Sequence, residues 1–322
     1  MADISFVFRI YKLLRVLDLE QIILRHKFFP EEVESLGELR YLGVQGAMRF
    51  IPQSIANLSN LETFILISES GTVSFPDTIW NMTKLRHLHV VGWDINCSLP
   101  SENLDNSSDL HNLDTFSTLI VPLDQVESIM SKIPNVSELK IQLSEAKDSM
   151  GYSEWCDMSL LKCLESLEVS AESLPPNHVQ FSFPSTLKEL VLGELGLPWE
   201  KIKLIEELPN LEVLQLLYNS FTGERWELTS GGFANLKFLS LENLDVVYWT
   251  ESGFDDFTLP CLQKLLLKEV LELQEMPNCL ECIACLQEIT VLQCSEHVMD
   301  LVRRIKEEEE SYGCEFLKIQ VD

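Results

Sequence analysis

A run of evenly spaced cysteines is the part of this sequence with the clearest capacity for chemistry. Cys279, Cys282 and Cys285 are each separated by two residues, and Cys294 follows nine residues after Cys285. Thiolates at such spacing bind zinc or an iron–sulfur cluster when a turn brings them together. These cysteines instead lie among apolar residues that lead to Leu286, and buried cysteine behaves as a small hydrophobic residue. The sequence therefore favours packing over a metal site, and neither a metal nor a cofactor is predicted.

Two histidines form the second candidate for chemistry. His87 and His89 are two residues apart, so they point to the same side of a β-strand, an arrangement that can bind a metal. The six histidines of the chain are scattered, however, which favours a solvated pair. The motifs G-x-S-x-G, H-E-x-x-H and H-x-E with P-C-x-x-C are all missing from the sequence. No catalytic residue is predicted, and the chain is not expected to be an enzyme.

The elements that position these residues are set by an internal repeat. The pattern L-x-x-L-x-L occurs in thirteen copies, the last of them degenerate, and successive copies begin 22 to 28 residues apart. Leucine-rich repeats have periods of roughly 20 to 29 residues. The copies begin at Leu14, Leu39, Leu61, Leu85, Leu113, Val136, Leu164, Leu187, Leu211, Leu236, Leu262, Leu286 and Cys314.

This pattern predicts one α/β leucine-rich-repeat solenoid over residues 1–322. It is expected to form a curved horseshoe or arc, with a parallel β-sheet on the concave face and short helices or 3₁₀ turns on the convex face. Pro30, Pro52 and Pro76 each precede apolar residues spaced three apart, which predicts short 3₁₀ segments. Polar residues cluster in residues 92–112 and 144–163, so these two stretches are predicted to be loops.

Charge and composition narrow the class of partner. The chain has 24 Lys and Arg against 51 Asp and Glu, a formal net charge of −27. Such a surface repels phosphate backbones, so nucleic acid is not predicted as a ligand. The sequence has neither a membrane span nor an export signal, and its nine cysteines form an odd, irregular set typical of reduced thiols. A cytoplasmic protein is therefore expected, although five Asn-x-Ser/Thr triplets would be glycan acceptors in a secreted one.

Several repeats resemble those of a known family. The segment from Ile51 to Phe64 is similar to the repeat of plant intracellular immune receptors of the nucleotide-binding, leucine-rich-repeat class. Residues 208–216 and 231–239 resemble the late repeats of the coiled-coil subclass, and the resemblance spans nearly the whole chain. It implies a domain that recognises a pathogen effector or a guarded host protein and holds the nucleotide-binding module inactive.

Two points qualify that resemblance. The chain has no G-x-x-x-x-G-K-[ST] phosphate loop, so nucleotide binding is not expected within it. The alternative is a free-standing leucine-rich-repeat inhibitor or adaptor that binds a basic protein through its acidic surface.

Outward-facing strand positions supply the candidate contact residues. The early repeats present a basic group, here called the early face, and the resemblance implies that it docks on the nucleotide-binding module; ordinary solvated cations are the alternative. The early face consists of Arg15, Arg40, Arg86, His87 and His89.

Later repeats present a mixed apolar and polar group, here called the late face, which is predicted to bind the partner protein with Phe238 as the preferred contact. Tyr218, Trp226 and Trp249 are either further anchors or residues packed within the ridges. The late face consists of Val191, Val213, Gln215, Leu217, Phe238, Glu242 and Leu266.

Overall fold

A computed structural model shows how the repeats fold. It describes residues 10–24, 29, 31–68, 71–92, 96–100, 104, 107–145, 154–171, 179–252, 258–311 and 317–321. The chain forms two compact units. The first comprises Met1–Asp148 with Leu160–Leu164, and the second comprises Ser149–Ser159 with Glu165–Asp322.

The first unit is built on parallel strands, one for each predicted repeat. Strands β1, β2, β3, β5, β7 and β8 pair in that order, while β4 pairs with β6, which also pairs with β7. The strands are β1 (Val16–Leu24), β2 (Tyr41–Gly46), β3 (Thr63–Ser68), β4 (Thr72–Ser74), β5 (His87–Val91), β6 (Asn96–Ser98), β7 (Thr115–Pro122) and β8 (Glu138–Ser144).

The repeated leucines of this unit form its core, as predicted. Side chains alternate between the two sides of each strand, and the parallel register places equivalent residues of successive repeats beside one another. Each such side chain contributes on the order of 1.5 to 3 kcal/mol through burial. One inward row, buried throughout, consists of Leu17, Leu42, Phe64, Leu88, Phe116 and Leu139.

Strand β7 departs from the simple pattern at Thr118. The copy that begins at Leu113 places Thr118 where other copies have leucine, valine or isoleucine. In the structure Thr118 adopts a left-handed backbone conformation with φ of 61°, and the pairing of β7 with β8 shifts at this point. Leu119 thereby becomes the fully buried residue that pairs with Ile141. The bulge restores an apolar core residue that the six-residue pattern misses.

The second unit repeats the same design. Its main strands, β10, β12, β14, β17, β19, β20 and β21, are parallel, and β11 with β9, β13 with β15 and β16 with β18 form three smaller pairs. The strands are β9 (Glu154–Asp157), β10 (Ser166–Ala171), β11 (Val179–Ser182), β12 (Glu189–Gly193), β13 (Leu197–Pro198), β14 (Val213–Leu217), β15 (Phe221–Thr222), β16 (Arg225–Leu228), β17 (Phe238–Glu242), β18 (Tyr248–Glu251), β19 (Lys264–Lys268), β20 (Glu288–Leu292) and β21 (Lys318–Val321).

The degenerate last copy folds as a strand, but in a different register from the predicted one. Cys314, its predicted start, lies outside the described residues. In the structure Ile319 pairs with Ile289, the second inward residue of the preceding repeat. A start at Cys314 would have placed Leu317 opposite Ile289, so the prediction is wrong by two residues.

Short helical segments connect the strands, as predicted from the prolines. The 3₁₀ segments Glu31–Ser35, Gln53–Asn57 and Asp77–Asn81 follow Pro30, Pro52 and Pro76. Further 3₁₀ segments are Leu123–Gln125, Trp199–Ile202 and Asn278–Cys282. The described part of the chain also contains the α-helices α1 (Val126–Met130), α2 (Lys203–Glu206) and α3 (Glu296–Ser311). None of the helices in the described part of the chain is long and apolar enough to cross a membrane.

The two stretches predicted as loops are only partly irregular. β6 lies within residues 92–112, and β9 lies within residues 144–163. Both strands form by pairing with a neighbouring repeat, and the local polar composition does not show such pairing. The prediction of loops is therefore wrong for these two strands. Residues 93–95, 101–103, 105–106 and 146–153 lie outside the described part of the chain.

Candidate protein interface

The arginines of the early face lie in one row, but acidic residues interrupt it. Backbone N–H groups of Arg40, Arg86 and Asp114 donate to the carbonyl oxygens of Arg15, Glu62 and Arg86, each at 2.8 Å. Glu62 therefore lies between Arg40 and Arg86, and its carboxylate is 3.1 Å from the Arg40 guanidinium. In the described part of the chain, Arg15 and Arg86 make no side-chain ion pair or hydrogen bond. The free positive charge of the early face thus resides mainly on these two residues.

The two histidines of the early face share one hydrogen-bonding partner. His87 Nδ1 lies 2.9 Å and His89 Nε2 lies 3.0 Å from Thr115 Oγ1, and the two rings are parallel with centroids 6.3 Å apart. Because a hydroxyl has one proton and two lone pairs, Thr115 donates to at most one of the two rings and accepts from at least one of them. Burial lowers the pKa of His89, the nearby His87 lowers it further, and Glu138 opposes them. His89 is therefore mainly neutral at pH 7 and adds little positive charge to the early face.

The structure brings all seven residues of the late face together on four adjacent strands. Across β12, β14, β17 and β19, Val213 pairs with Phe238, and Leu217 pairs with Glu242. In the neighbouring row Val191, Gln215, Ser240 and Leu266 follow one another, and the side chain of Ser240 is buried. The seven residues are half-buried, as expected for the outward side of a sheet.

Ion pairs between neighbouring repeats lie at the border of the late face. Each pair joins a lysine to a glutamate one repeat away, with a nitrogen–oxygen distance of 3.0 Å or less. Exposed pairs of this kind contribute little to stability, roughly 0 to 1 kcal/mol each. They do neutralise one another's charge. The pairs are Glu165–Lys188, Glu212–Lys237, Glu242–Lys268 and Lys264–Glu288.

Glu242 is held by two neighbours in this arrangement. Its Oε1 accepts hydrogen bonds from the Tyr218 hydroxyl at 2.8 Å and from Lys268 Nζ at 2.5 Å. Burial alone would raise the pKa of Glu242, but the hydrogen bonds from Lys268 and Tyr218 outweigh burial and lower it. Glu242 is consequently ionised and already engaged, so it orients Tyr218 and Lys268 at the border of the late face.

The tryptophans prove to be core residues. Trp226 and Trp249 are fully buried, and their rings stack at a centroid distance of 4.8 Å. Trp199 extends the stack, with centroids 4.8 Å from Trp226 and 4.9 Å from Phe221. Tyr218, in contrast, is 45% exposed beside the late face. The sequence left open whether Trp226 and Trp249 bind a partner or pack within the ridges, and packing is correct. Their spacing of 23 residues, close to one repeat, could have indicated that they stack on each other.

The cysteine run lies where the repeat places it, but not all of it is packed. Leu280 and Ile283 fill the buried positions, whereas Cys279 is half-buried and Cys285 is exposed. The expectation that the cysteines pack as apolar residues is therefore wrong for Cys285. The side chain of Cys282 lies outside the described part of the structure. Among the residues that the structure describes, no three His, Cys, Asp or Glu side chains are arranged to hold a metal ion.

Comparison with known proteins gives a consistent set of matches. A family model described as a leucine-rich repeat region matches residues 2–198. A putative late blight resistance protein homologue from Solanum demissum is 34% identical over 313 residues, which cover 95% of this chain and 23% of that protein. A late blight resistance protein from the same plant is 33% identical over 312 residues, with the same coverage. The chain thus spans less than a quarter of the length of these relatives.

Among solved structures, an internalin from Listeria monocytogenes aligns over 98% of this chain and 84% of its own. Its TM-score is 0.47 and its sequence identity is 14%.

Proposed function

Because the chain belongs to the leucine-rich-repeat family, we propose that it is the protein-binding domain of a plant intracellular immune receptor. The similarity to late blight resistance proteins over nearly the whole chain carries this proposal. The inward leucines supply a rigid frame, and the outward residues, which that frame leaves free to vary, recognise a pathogen effector or a guarded host protein. The role is binding, and the chain contributes no catalytic step.

The late face is the proposed contact with that protein. It combines a large aromatic side chain, Phe238, with aliphatic neighbours on adjacent strands, and a few such residues near the centre of an interface supply most of its binding energy. The nine cysteines of the chain form an odd, irregular set, which suits a reducing compartment, so the cytoplasm is the proposed location.

A chimera tests the recognition role. The matching segment of the late blight resistance protein is replaced by this chain, and the chimera is expressed in leaves. We expect leaves that stay healthy without infection but are no longer resistant to late blight, since the outward residues differ. A chimera that still confers resistance would show that this segment does not determine what the receptor recognises.

The early face is proposed to restrain the nucleotide-binding module that the resemblance implies. Arg15 and Arg86 carry its free charge, and charge complementarity supplies steering and specificity in such contacts. The double variant Arg15→Glu and Arg86→Glu should weaken association with the separately expressed module by about tenfold or more. Arg304→Glu on α3 is the control, because it reverses the charge of an arginine outside the early face. Equal affinity of the double variant and the unmodified chain would refute this docking role.

The net charge of −27 favours a second candidate function, a free-standing inhibitor or adaptor that captures a basic protein. Such a partner would be attracted by unpaired carboxylates, and its affinity would fall steeply as salt is added.

A further inference from the structure

The charged groups on the strand side of the late face are satisfied within the protein. On β14, β17 and β19 the charged outward residues are Glu242, Lys264 and Lys268. Glu242 binds Lys268 at 2.5 Å, and Lys264 binds Glu288 of β20 at 3.0 Å. The four lysine–glutamate pairs around this face sum to zero, although the whole chain carries −27.

On the four strands of the late face, one carboxylate, that of Glu189, is not paired with a cation. Glu189 of β12 lies beside Val213 and accepts a hydrogen bond from Ser166 Oγ at 3.2 Å. It lies on the far side of Val213 from Phe238, because the row runs Glu189, Val213, Phe238 and Lys264. The centre of the late face therefore carries no unpaired charge, and Glu189 is two strands away from Phe238.

This arrangement disfavours a charged side chain at the centre. A cation would compete with Lys264 and Lys268 for carboxylates that are already bound, and an anion would displace those carboxylates and meet a strongly acidic protein. Breaking a pair leaves its other member without a partner, which is costly when the contact excludes water. An apolar side chain incurs neither penalty and gains from covering Phe238, Leu266 and Val191.

We infer that the late face recognises a partner segment with aromatic or aliphatic side chains and no net charge. This inference rests on the proposed protein-binding function and specifies its chemistry. Neutral recognition has a measurable consequence: screening by salt weakens charge interactions and leaves apolar contacts in place. Affinity for such a segment is then nearly independent of salt.

The probe is a library of random peptides of about twelve residues displayed on phage and selected on the whole chain, with Phe238→Ala and Phe50→Ala as variants. Phe50 is the matched control, since it is exposed and lies in the first unit outside the late face. Circular dichroism melts verify that both variants fold. Selected peptides are expected to be rich in Phe, Trp, Leu and Ile with a net charge near zero.

Their affinity should change less than about twofold between roughly 50 and 500 mM NaCl. It should fall at least about tenfold in Phe238→Ala and stay unchanged in Phe50→Ala. Lysine- and arginine-rich peptides that depend on Phe238 and are released by salt would overturn neutral recognition while leaving the protein-binding function intact. Failure to select any peptide, or peptides indifferent to Phe238, would also overturn the inference, and the leaf chimera would then decide the receptor role independently.

Discussion

Gly46 allows the backbones of β1 and β2 to approach closely. A Cβ at this position would lie 2.6 Å from the carbonyl oxygen of Leu24 and 3.2 Å from the Met48 methyl group. A flexible side chain could move away from such a contact, but the Leu24 backbone is part of a paired strand. We predict that Gly46→Ala lowers the free energy of unfolding by about 1 to 3 kcal/mol, measured by urea denaturation.

Gly37 provides the control for this prediction. A Cβ there would have nothing within 4 Å, so Gly37→Ala should change stability by no more than about 0.5 kcal/mol. Equal losses in the two variants would mean that the loss of glycine itself, and not the contact with Leu24, determines the effect.

Glu206 is a buried carboxylic acid in α2 that couples stability to pH. The Thr229 N–H donates to Glu206 Oε2 at 3.2 Å, and Oε1 has no hydrogen-bonding partner among the residues that the structure describes. Burial raises the pKa of Glu206 above its ordinary 4.5, and the opposing contacts, chiefly with Thr229, do not offset it. The folded state therefore binds the proton more tightly than the unfolded chain. This favours folding below pH 4.5, and the benefit is lost as pH rises through the raised pKa.

Replacing Glu206 by Gln removes the cost of ionising this buried group. We predict that Glu206→Gln raises the melting temperature at about pH 8 and changes it less at about pH 4. Glu207 is exposed and adjacent, so Glu207→Gln is the matched control and should change neither value appreciably. A gain for Glu206→Gln that is equal at both pH values would argue against ionisation as its cause.

A left-handed residue follows each of five strands in the second unit. The φ angles of these residues lie between 43° and 57°, and none of the residues is glycine. Residues with a side chain pay roughly 1 to 2 kcal/mol for this conformation, asparagine less than the others. Four of them, Glu194, Tyr218, Asn243 and Glu269, donate their N–H groups to carbonyl oxygens of the next repeat, and the Glu269 N–H lies 3.0 Å from the Leu292 carbonyl. The five residues are Glu194, Tyr218, Asn243, Glu269 and Gln293.

The repeat that contains β20 offers a direct test of this strain. Gln293→Gly should stabilise the protein by about 0.5 to 1 kcal/mol, because glycine adopts a positive φ without steric cost. Thr290→Gly, within β20 itself, should destabilise it by about 1 kcal/mol, because glycine loses more freedom in a strand. Chemical denaturation measures both effects. Destabilisation by both substitutions would show that contacts of the Gln293 side chain outweigh its backbone strain.

The strands follow from the sequence wherever the leucine spacing is regular, and the exceptions have physical causes. The last copy alternates Leu317, Ile319 and Val321, so a slip of two residues keeps the same side chains inward, and only pairing with Ile289 fixes the register. The bulge at Thr118 is hidden for a related reason. The six-residue pattern does not show that Thr118 can adopt a positive φ, which lets Leu119 take the inward position that Thr118 would otherwise occupy.

The sequence predicted which residues form the late face, but it did not predict the ion pairs around that face. Alternation along single strands indicated that Val213 and Phe238 point outward, and equivalent repeat positions made them neighbours. The ion pairs and the tryptophan stack join residues one repeat apart, such as Lys268 with Glu242 and Trp226 with Trp249. Their geometry depends on which side-chain conformations meet across two repeats, and spacing along the chain does not determine that.

At the scale of the whole molecule, the net charge and the paired charges around the late face have different consequences. The resemblance to plant disease-resistance receptors predicted from the repeats is confirmed by the likeness to late blight resistance proteins. The surplus of acidic residues keeps a repeat protein soluble and creates a long-range negative field. Around the late face, lysine and glutamate charges cancel in pairs. The negative field of the whole chain therefore does not determine which side chains bind at the centre of the late face.

Stability should also be distributed locally along the chain. Each repeat of such an array is stabilised mainly by its immediate neighbours. Gly46→Ala should therefore lower hydrogen-exchange protection in β1, β2 and β3 and leave protection in β19 and β20 unchanged within about twofold. Thr290→Gly should show the reverse pattern, so each variant is the control for the other. Equal loss of protection in all strands in either variant would mean that the chain unfolds as one cooperative unit, with each repeat depending on distant repeats as much as on adjacent ones.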